Sequence, residues 1–382
     1  MSAVPKLRFP EFETAYAFRY LGDEVAKISS GKTKAESDGK YELYGSTGVI
    51  GKTNSPECHG QNILIARVGA NAGALNIVEG SYGVTDNTLI LSAAETSCLN
   101  FIFYFLKSFN LNRLVFGSGQ PLVTGGMIKK LKFSRPSLPE QQKIASFLSS
   151  VDKKIDLQRQ KKDALELYKK GLMQKIFSQE IRFKQDDGSD FPDWEEVALG
   201  DVFEEIKDKV GDRKIPTYSI SAGVGFVSQE EKFGKDISGR QNEKYIVLGV
   251  GDFSYNKGNS KTYNYGCIYP NDEGTAIAVP SVFISFRRKN ASMSVGFFAK
   301  LFEGHYLDKG LRKLISSGAR MDGLLNVNKK DFFALQVPYP HENEQKKIAL
   351  FLSAIDVKIQ NTSSQIEQME TFKKGLLQQM FV

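Results

Sequence analysis

Two segments of this chain are near copies of each other. Glu140-Gln141-Gln142-Lys143-Ile144-Ala145-Ser146-Phe147-Leu148-Ser149-Ser150-Val151-Asp152 returns as Glu344-Gln345-Lys346-Lys347-Ile348-Ala349-Leu350-Phe351-Leu352-Ser353-Ala354-Ile355-Asp356. The match continues without a gap through Lys169-Lys170-Gly171-Leu172 and Lys373-Lys374-Gly375-Leu376, to Phe177 and Phe381. The stretches preceding the two copies, about 13–138 and 195–339, share their edges but not their centres. One architecture is used twice with different contents, which suits a chain that reads two different things a fixed distance apart.

The copies have helical periodicity. Ile144, Leu148, Val151, Ile155, Leu165, Leu172 and Ile176 fall on steps of three and four, the heptad spacing of a helix packed along another helix. Ile348, Leu352, Ile355, Ile359, Ile366, Met369, Leu376 and Met380 take the matching places, and the stripes weaken midway at Gln158, Lys162 and Thr362. Pro139 and Pro340 stand just before the two helices, where proline is tolerated. Each helix of about 38 residues would span roughly 57 Å at about 1.5 Å per residue. Alone it would leave its stripe in water; two copies cover each other, so an intramolecular antiparallel coiled coil is expected. An ordinary core helix is the plainer alternative, but it does not explain a register kept over the full length. Gly171 and Gly375 each cost about 1 kcal/mol against alanine; a close crossing and a local break would both account for them.

Both preceding stretches open with Phe-Pro (Phe9-Pro10, Phe191-Pro192) and then Leu-Gly-Asp (Leu21-Gly22-Asp23, Leu199-Gly200-Asp201). Both close with a polar glycine loop, a short apolar strand, a proline and the helix. Runs such as 62–68, 88–91 and 282–286 are β-prone between Gly/Asn/Ser turns. Helices are expected over Leu99–Phe109 and Val295–Phe302. The fold class is α+β: two mixed α/β globular domains, each with one twisted sheet, joined by a pair of long helices with an internal pseudo-two-fold repeat. Residues 185–190 are acidic and read as a solvated connector.

Enzyme chemistry is hard to find. Gly48-Val49-Ile50-Gly51-Lys52-Thr53 resembles a phosphate-binding loop, but the required earlier glycine falls on Ser46, and for Gly31-Lys32-Thr33 it falls on Ala26. His59, His305 and His341 form no metal-ligand pair at helical spacing, and no Gly-x-Ser-x-Gly elbow occurs. No Asn/Asp-Pro-Pro-aromatic motif is present, so methylation by this chain alone is not expected. Cys58, Cys98 and Cys267 are scattered and suggest neither a zinc ribbon nor a disulfide framework, which fits a cytoplasmic protein. No apolar run approaches a membrane span, and the first residues carry no apolar leader core.

The net charge of +7 favours a polyanionic partner. In the first domain Lys32, Lys34, Tyr44, Ser46, Lys52, Asn54, Arg67 and Asn71, with Gln120 in the closing loop, mix cations, amides and aromatics. The second offers Arg240, Gln241, Tyr255, Lys257, Lys261, Arg287 and Arg288, with Arg320 in its closing loop. Cations neutralise phosphates, and Arg, Asn and Gln make paired hydrogen bonds to guanine and adenine edges. A solvated loop surface is the bland reading of any one of them; each set together suits nucleic acid.

The paired Glu-Gln-x-Lys-Ile-Ala-x-Phe-Leu-Ser-x-x-Asp segments behind Gly117-Ser118-Gly119-Gln120-Pro121-Leu122 resemble the specificity subunit of type I restriction-modification systems. So do Tyr44-Gly45-Ser46-Thr47-Gly48-Val49-Ile50-Gly51 and Ile65-Ala66-Arg67-Val68-Gly69-Ala70-Asn71-Ala72-Gly73. The second domain departs at its closing loop, where Gly318-Ala319-Arg320-Met321 stands in place of Gly-Gln-Pro-Leu. The resemblance implies target recognition domains at 1–138 and 181–339, and spacer helices at 139–180 and 340–382. It implies a non-catalytic reader of a bipartite, asymmetric sequence in double-stranded DNA, acting as scaffold for two modification subunits and for restriction subunits. S-adenosylmethionine, ATP and Mg would sit on those partners, with no cofactor or metal on this chain, no membrane and no functional homo-oligomer. Phe147, Tyr168, Phe351 and Phe372 are the expected partner-docking side chains. A coiled-coil adaptor with two protein-interaction domains is the alternative; it leaves the cationic, amide-rich loops unexplained.

Overall fold

The structure is a computed structural model that describes residues 4–114, 121–230, 239–258, 263–315 and 325–381. The duplicated segments are two unbroken helices, the central helix Leu138–Phe177 and the C-terminal helix Glu342–Met380. The chain divides into two compact units that each take in part of both helices: unit 1 is Met1–Lys161 with Thr362–Val382, and unit 2 is Lys162–Asn361.

In unit 1 the head of the central helix packs on the tail of the C-terminal helix. Ile144, Ala145 and Leu148 share a core with Leu376 and Met380. Asp152 pairs with Lys373, and Arg159 pairs with Glu370 at 2.5 Å. Numbers rise along one helix as they fall along the other, so the helices run antiparallel. Unit 2 repeats the arrangement. Met173 and Ile176 share a core with Ile348, Leu352 and Ile355, and Lys169 pairs with Asp356 at 2.5 Å. Asp152 matches Asp356 in the duplicated segments, and Lys373 matches Lys169, so one ion pair is made twice.

Two of the three polar interruptions of the stripe turn inward, while Lys162 pairs with exposed Glu166. Thr362 is only 3% exposed, and Gln158 Oε1 is buried without a partner. Pro139 falls in the first turn, where its missing N–H costs no helical bond. Neither a crossing nor a break explains the helix glycines. A Cβ at Gly171 would meet nothing within 4 Å, and one at Gly375 only the tip of Gln379 at 4.0 Å.

Each domain holds several small sheets, not the single sheet expected. Unit 1 has an antiparallel sheet in the order Val25–Ser30, Thr88–Ala93, Asn62–Ala66, Leu75–Val78. A second sheet runs Gly48–Thr53, Tyr41–Gly45, Ser81–Val84, Cys58–His59, with one parallel pair. Gly48, at φ 104°, closes the hairpin of Tyr41–Gly45 on Gly48–Thr53, and Gly80, at φ 110°, lies where the chain passes from the first sheet to the second. Helix Leu99–Phe109 covers the first sheet with six consecutive buried residues, Phe101 to Leu106. Unit 2 has one four-stranded sheet, Phe203–Glu205, Ile284–Arg288, Phe253–Asn256, Cys267–Pro270, covered by helix Val295–Glu303.

A buried clasp, built twice, fixes each domain to the helix that follows it. Glu140, 1% exposed, accepts Arg8 Nε at 2.7 Å, Arg8 Nη2 at 2.9 Å and the Tyr16 hydroxyl at 2.8 Å. Glu344, 0% exposed, accepts Arg182 Nε at 2.8 Å, Arg182 Nη2 at 3.0 Å and Trp194 Nε1 at 2.9 Å. The neighbouring glutamine staples the domain's main helix. Gln141 accepts from Cys98 N and donates to Pro136 O; Gln345 accepts from Ser294 N and donates to Pro340 O. Each strap starts alike: Leu7 N donates to Gln379 O at 3.0 Å and Ile181 N to Lys175 O at 3.1 Å. Phe9 meets Phe147 edge-on, and Phe183 meets Phe351 edge-on. The counterpart of Phe9 is therefore Phe183, and the Phe-Pro pairing with Phe191 does not hold; Phe191 stacks on His341 instead.

Candidate nucleic-acid interface

In unit 1 the short strands of the two sheets end in loops that bring part of the expected set together. The turn 45–48, the loop 69–74 and the strand starts at Asn76 and Thr88 enclose a cleft of about 320 Å³ lined by Tyr44, Ser46, Asn71 and Asn76. Tyr44 stands edge-on to Tyr82 at 5.4 Å, and its hydroxyl donates to Glu42 at 2.5 Å. Burial and then Glu42 push its phenol up to about 12, so at neutral pH it presents a protonated ring and not an anion. Thr88 Oγ1, also lining the cleft, is buried without a hydrogen-bond partner. Asn76 and Thr88 are additions that the sequence alone did not single out.

A second group surrounds the loop 31–36. Glu57 Oε1 accepts from Lys32 N at 2.9 Å, from Thr33 N at 3.2 Å, from Thr33 Oγ1 at 2.8 Å and from Val84 N at 3.2 Å. This carboxylate shapes the loop and leaves the Lys32 and Lys34 side chains exposed beside exposed Lys52. Asn54 is committed internally, donating to Glu36 at 3.0 Å. Arg67 closes the strand Asn62–Ala66; its carbonyl accepts from Val123 N, and its Nε is buried without a partner.

The unit 2 set does not converge in the same way. Tyr255 is 0% exposed, stacks on Phe332 at 4.9 Å and donates its hydroxyl to Tyr265 O. It is a core residue, which corrects its assignment as a DNA contact: the strand Phe253–Asn256 turns this ring inward. Arg287 donates to Asp252 at 2.9 Å while keeping an exposed face. Arg288 is tied to the carbonyls of Ala291 and Met293 and braces a turn. Lys257 is half-buried, and its carbonyl accepts from Leu325 N. Arg240 and Gln241 lie in the short helix Gly239–Lys244, with only their backbone described. Gln120, Lys261 and Arg320 lie outside the described residues.

On the helices, Tyr168 and Phe372 are each 56% exposed and Phe351 is 37% exposed, while Phe147 is half-buried against Phe9. Leu157 in unit 1, and Leu167, Leu350 and Val357 in unit 2, are further helix side chains more than half exposed that the sequence alone did not single out. Among the described residues no cluster of His, Cys, Asp and Glu could hold a metal ion, and no helix is long and apolar enough to cross a membrane.

Comparison with known proteins agrees with this geometry. The model of the type I restriction modification DNA specificity domain matches the chain twice, over residues 18–167 and 192–371. The chain is 27% identical over 345 residues to the type I restriction enzyme MjaVIII specificity subunit of Methanocaldococcus jannaschii, covering 83% of this chain and 77% of that protein. It is 27% identical over 154 residues to the EcoprrI specificity subunit of Escherichia coli, covering 38% of each. Among solved structures, the S subunit of a type I system from M. genitalium superposes with a TM-score of 0.63 at 18% identity, covering 99% of both chains. A chain from a structure describing complex assembly and conformational transition of the type I system superposes at 0.54 with 14% identity, covering 97% of this chain and 98% of that one. These two likenesses establish the fold.

Proposed function

We propose, because this chain belongs to the type I restriction-modification DNA specificity family, that its two domains each read one half of a split, asymmetric duplex sequence. The observation that carries this reading is the double match: each matched stretch holds one domain and the helix clasped to it. The clasps are the same in both units, whereas the loops at the far ends of the strands are not. A common frame with different tips is what reading two unlike half-sites requires.

In unit 1, Lys32, Lys34 and Lys52 would neutralise phosphates and set register. Asn71 and Ser46 at the cleft mouth would reach base edges, where an amide can pair with adenine. In unit 2 Arg287 retains an exposed guanidinium face for the same work. The antiparallel helices would fix the unread spacer. Their exposed apolar side chains would dock two modification subunits, and restriction subunits would join that assembly. S-adenosylmethionine, ATP and Mg would belong to those partners.

Methylome sequencing of a host carrying the full system tests the reading. The expected result is a bipartite motif methylated in both halves. Exchanging residues 13–138 for another first domain should change one half of the motif only. A contiguous motif, or a change in both halves, would overturn the assignment. The purified complex should also bind its site with strong salt dependence in gel shift, as phosphate neutralisation requires.

The docking surface has its own test. The triple variant Tyr168→Ala, Phe351→Ala, Phe372→Ala removes side chains that are 56%, 37% and 56% exposed. Such truncations change folding little, but at a docked interface a central aromatic is worth about 2 kcal/mol or more. Co-purification of the modification subunit should fall at least about tenfold, with circular dichroism melting close to wild type. Normal co-purification would refute this docking surface.

A further inference from the structure

The duplication lets the two units be compared position by position, and one surface has opposite character in them. In unit 1 strand Ala17–Tyr20 pairs with Lys132–Arg135, placing Tyr20 opposite Lys132. In unit 2 strand Glu195–Ala198 pairs with Gln336–Tyr339, placing Ala198 opposite Gln336. The Leu-Gly-Asp triplets that follow fix the correspondence, since Gly22 lies against Lys129 and Gly200 against Phe333.

In unit 1 this face carries Lys129, Lys130 and Lys132, all exposed, and none of them is ion-paired with a carboxylate among the described residues, while Arg19, opposite Phe133, lies on the other side of the strand pair. Phe18 and Tyr20 stand among them, 61% and 49% exposed. The corresponding unit 2 positions hold Phe333, Ala334 and Gln336 in place of the lysines, and Glu196 and Ala198 in place of the aromatics. Glu196 stands exposed on that face with Tyr306 donating to it, and Lys289 donates to the Gly200 carbonyl beside it.

Two wet aromatics beside unpaired lysines offer apolar anchors with a cationic rim, and aromatic anchors carry much of the energy where proteins dock. We propose that this face of unit 1 docks an acidic protein surface, one with carboxylates around an apolar depression, and that the matching face of unit 2 does not. Charge makes the choice. A carboxylate rim is drawn to three unpaired lysines in unit 1 and meets Glu196 in place of Phe18 in unit 2. Duplex DNA fits less well. Strand Val25–Ser30 leads away from this face to the cleft end of the sheet, about 17 Å at about 3.3 Å per residue, and a closed duplex offers the two rings no base to stack on. The inference rests on the reading of the chain as one subunit of a larger complex. It adds that one partner is gripped through unit 1 alone, which gives a pseudo-symmetric scaffold a direction.

The test uses the complex reconstituted from the full chain with its modification and restriction subunits. One variant is the triple Lys129→Glu, Lys130→Glu, Lys132→Glu; a second, Phe18→Ala with Tyr20→Ala, keeps the charge. Native mass spectrometry counts the bound copies, titration gives their affinities, and gel shift follows DNA. Both variants should weaken one copy of one partner at least tenfold and leave DNA affinity unchanged. Loss of DNA affinity with partner binding intact would make the face a phosphate contact and overturn the proposal. Partner binding equal to wild type in both variants would overturn it too. A split motif methylated by the unaltered complex upholds the functional reading in either case, so the two failures are distinguishable.

Discussion

Glu344→Ala should destabilise unit 2 by about 3–5 kcal/mol, the range seen when one partner of a buried ion pair is removed. Its carboxylate is 0% exposed and takes two bonds from Arg182 and one from Trp194. Truncation leaves a guanidinium with its Pro192 carbonyl contact, the exposed Asp193 carboxylate at 3.8 Å and the Trp194 ring, and an indole N–H with no acceptor there. With about 2–4 °C of melting temperature per kcal/mol for a unit of this size, calorimetry should show a drop of roughly 10 °C. Glu140→Ala should act the same way on unit 1 through Arg8 and Tyr16. Replacing Arg182 and Glu344 together by Met and Leu should recover part of the loss, because no charge is then stranded. A cost below about 1 kcal/mol for Glu344→Ala would show that the clasp does not hold domain to helix.

The helices were legible because their signal is local. Period and duplication marked both long helices to within a few residues, and the apolar run at Phe101–Leu106 marked Leu99–Phe109. The clasp was visible only as identity. The sequence shows Glu140-Gln141 recurring as Glu344-Gln345, but the reason lies in Arg8 and Arg182, more than a hundred residues away. Tyr44 and Tyr255 show the limit for the site. Both are tyrosines beside small polar residues near a strand end. One stands half-buried at a cleft mouth; the other is stacked flat in the core. Which way a ring points depends on strand register, and in strands of three to six residues a shift of one position reverses it. The split into several sheets was hidden for the same reason: short strands carry too few alternations to fix their neighbours.

Lys169→Glu and Lys373→Glu change the same position of the two helix copies, yet their effects should differ. In unit 2, Lys169 and Lys300 share Glu303 and Asp356, two cations balancing two carboxylates. Lys169 is 10% exposed and Lys300 16%, against 43% for Glu303 and 33% for Asp356, so solvent screens the quartet in part. Reversing Lys169 puts three carboxylates around one lysine, and a loss of about 2–3 kcal/mol is expected, below the range for a fully buried pair. In unit 1 the equivalent helix, stapled alike by Gln141, presents Tyr104 where unit 2 has Lys300, and Lys107 where unit 2 has Glu303. Tyr104 donates to Asp152 at 2.9 Å, and Lys373 faces Lys107 as well as Asp152. Burial, then repulsion from Lys373, lowers the Lys107 pKa. A carboxylate in place of Lys373 loses Asp152 but gains Lys107, so with similar exposure its cost should stay at about 1 kcal/mol because of that compensating cation. Adding Glu303→Lys to Lys169→Glu puts two cations and two carboxylates back into the quartet and should restore at least half of the lost stability in thermal melts. Equal costs for the two single variants, or no rescue by the second change, would mean that these charges do not fix how each domain seats on the helix pair.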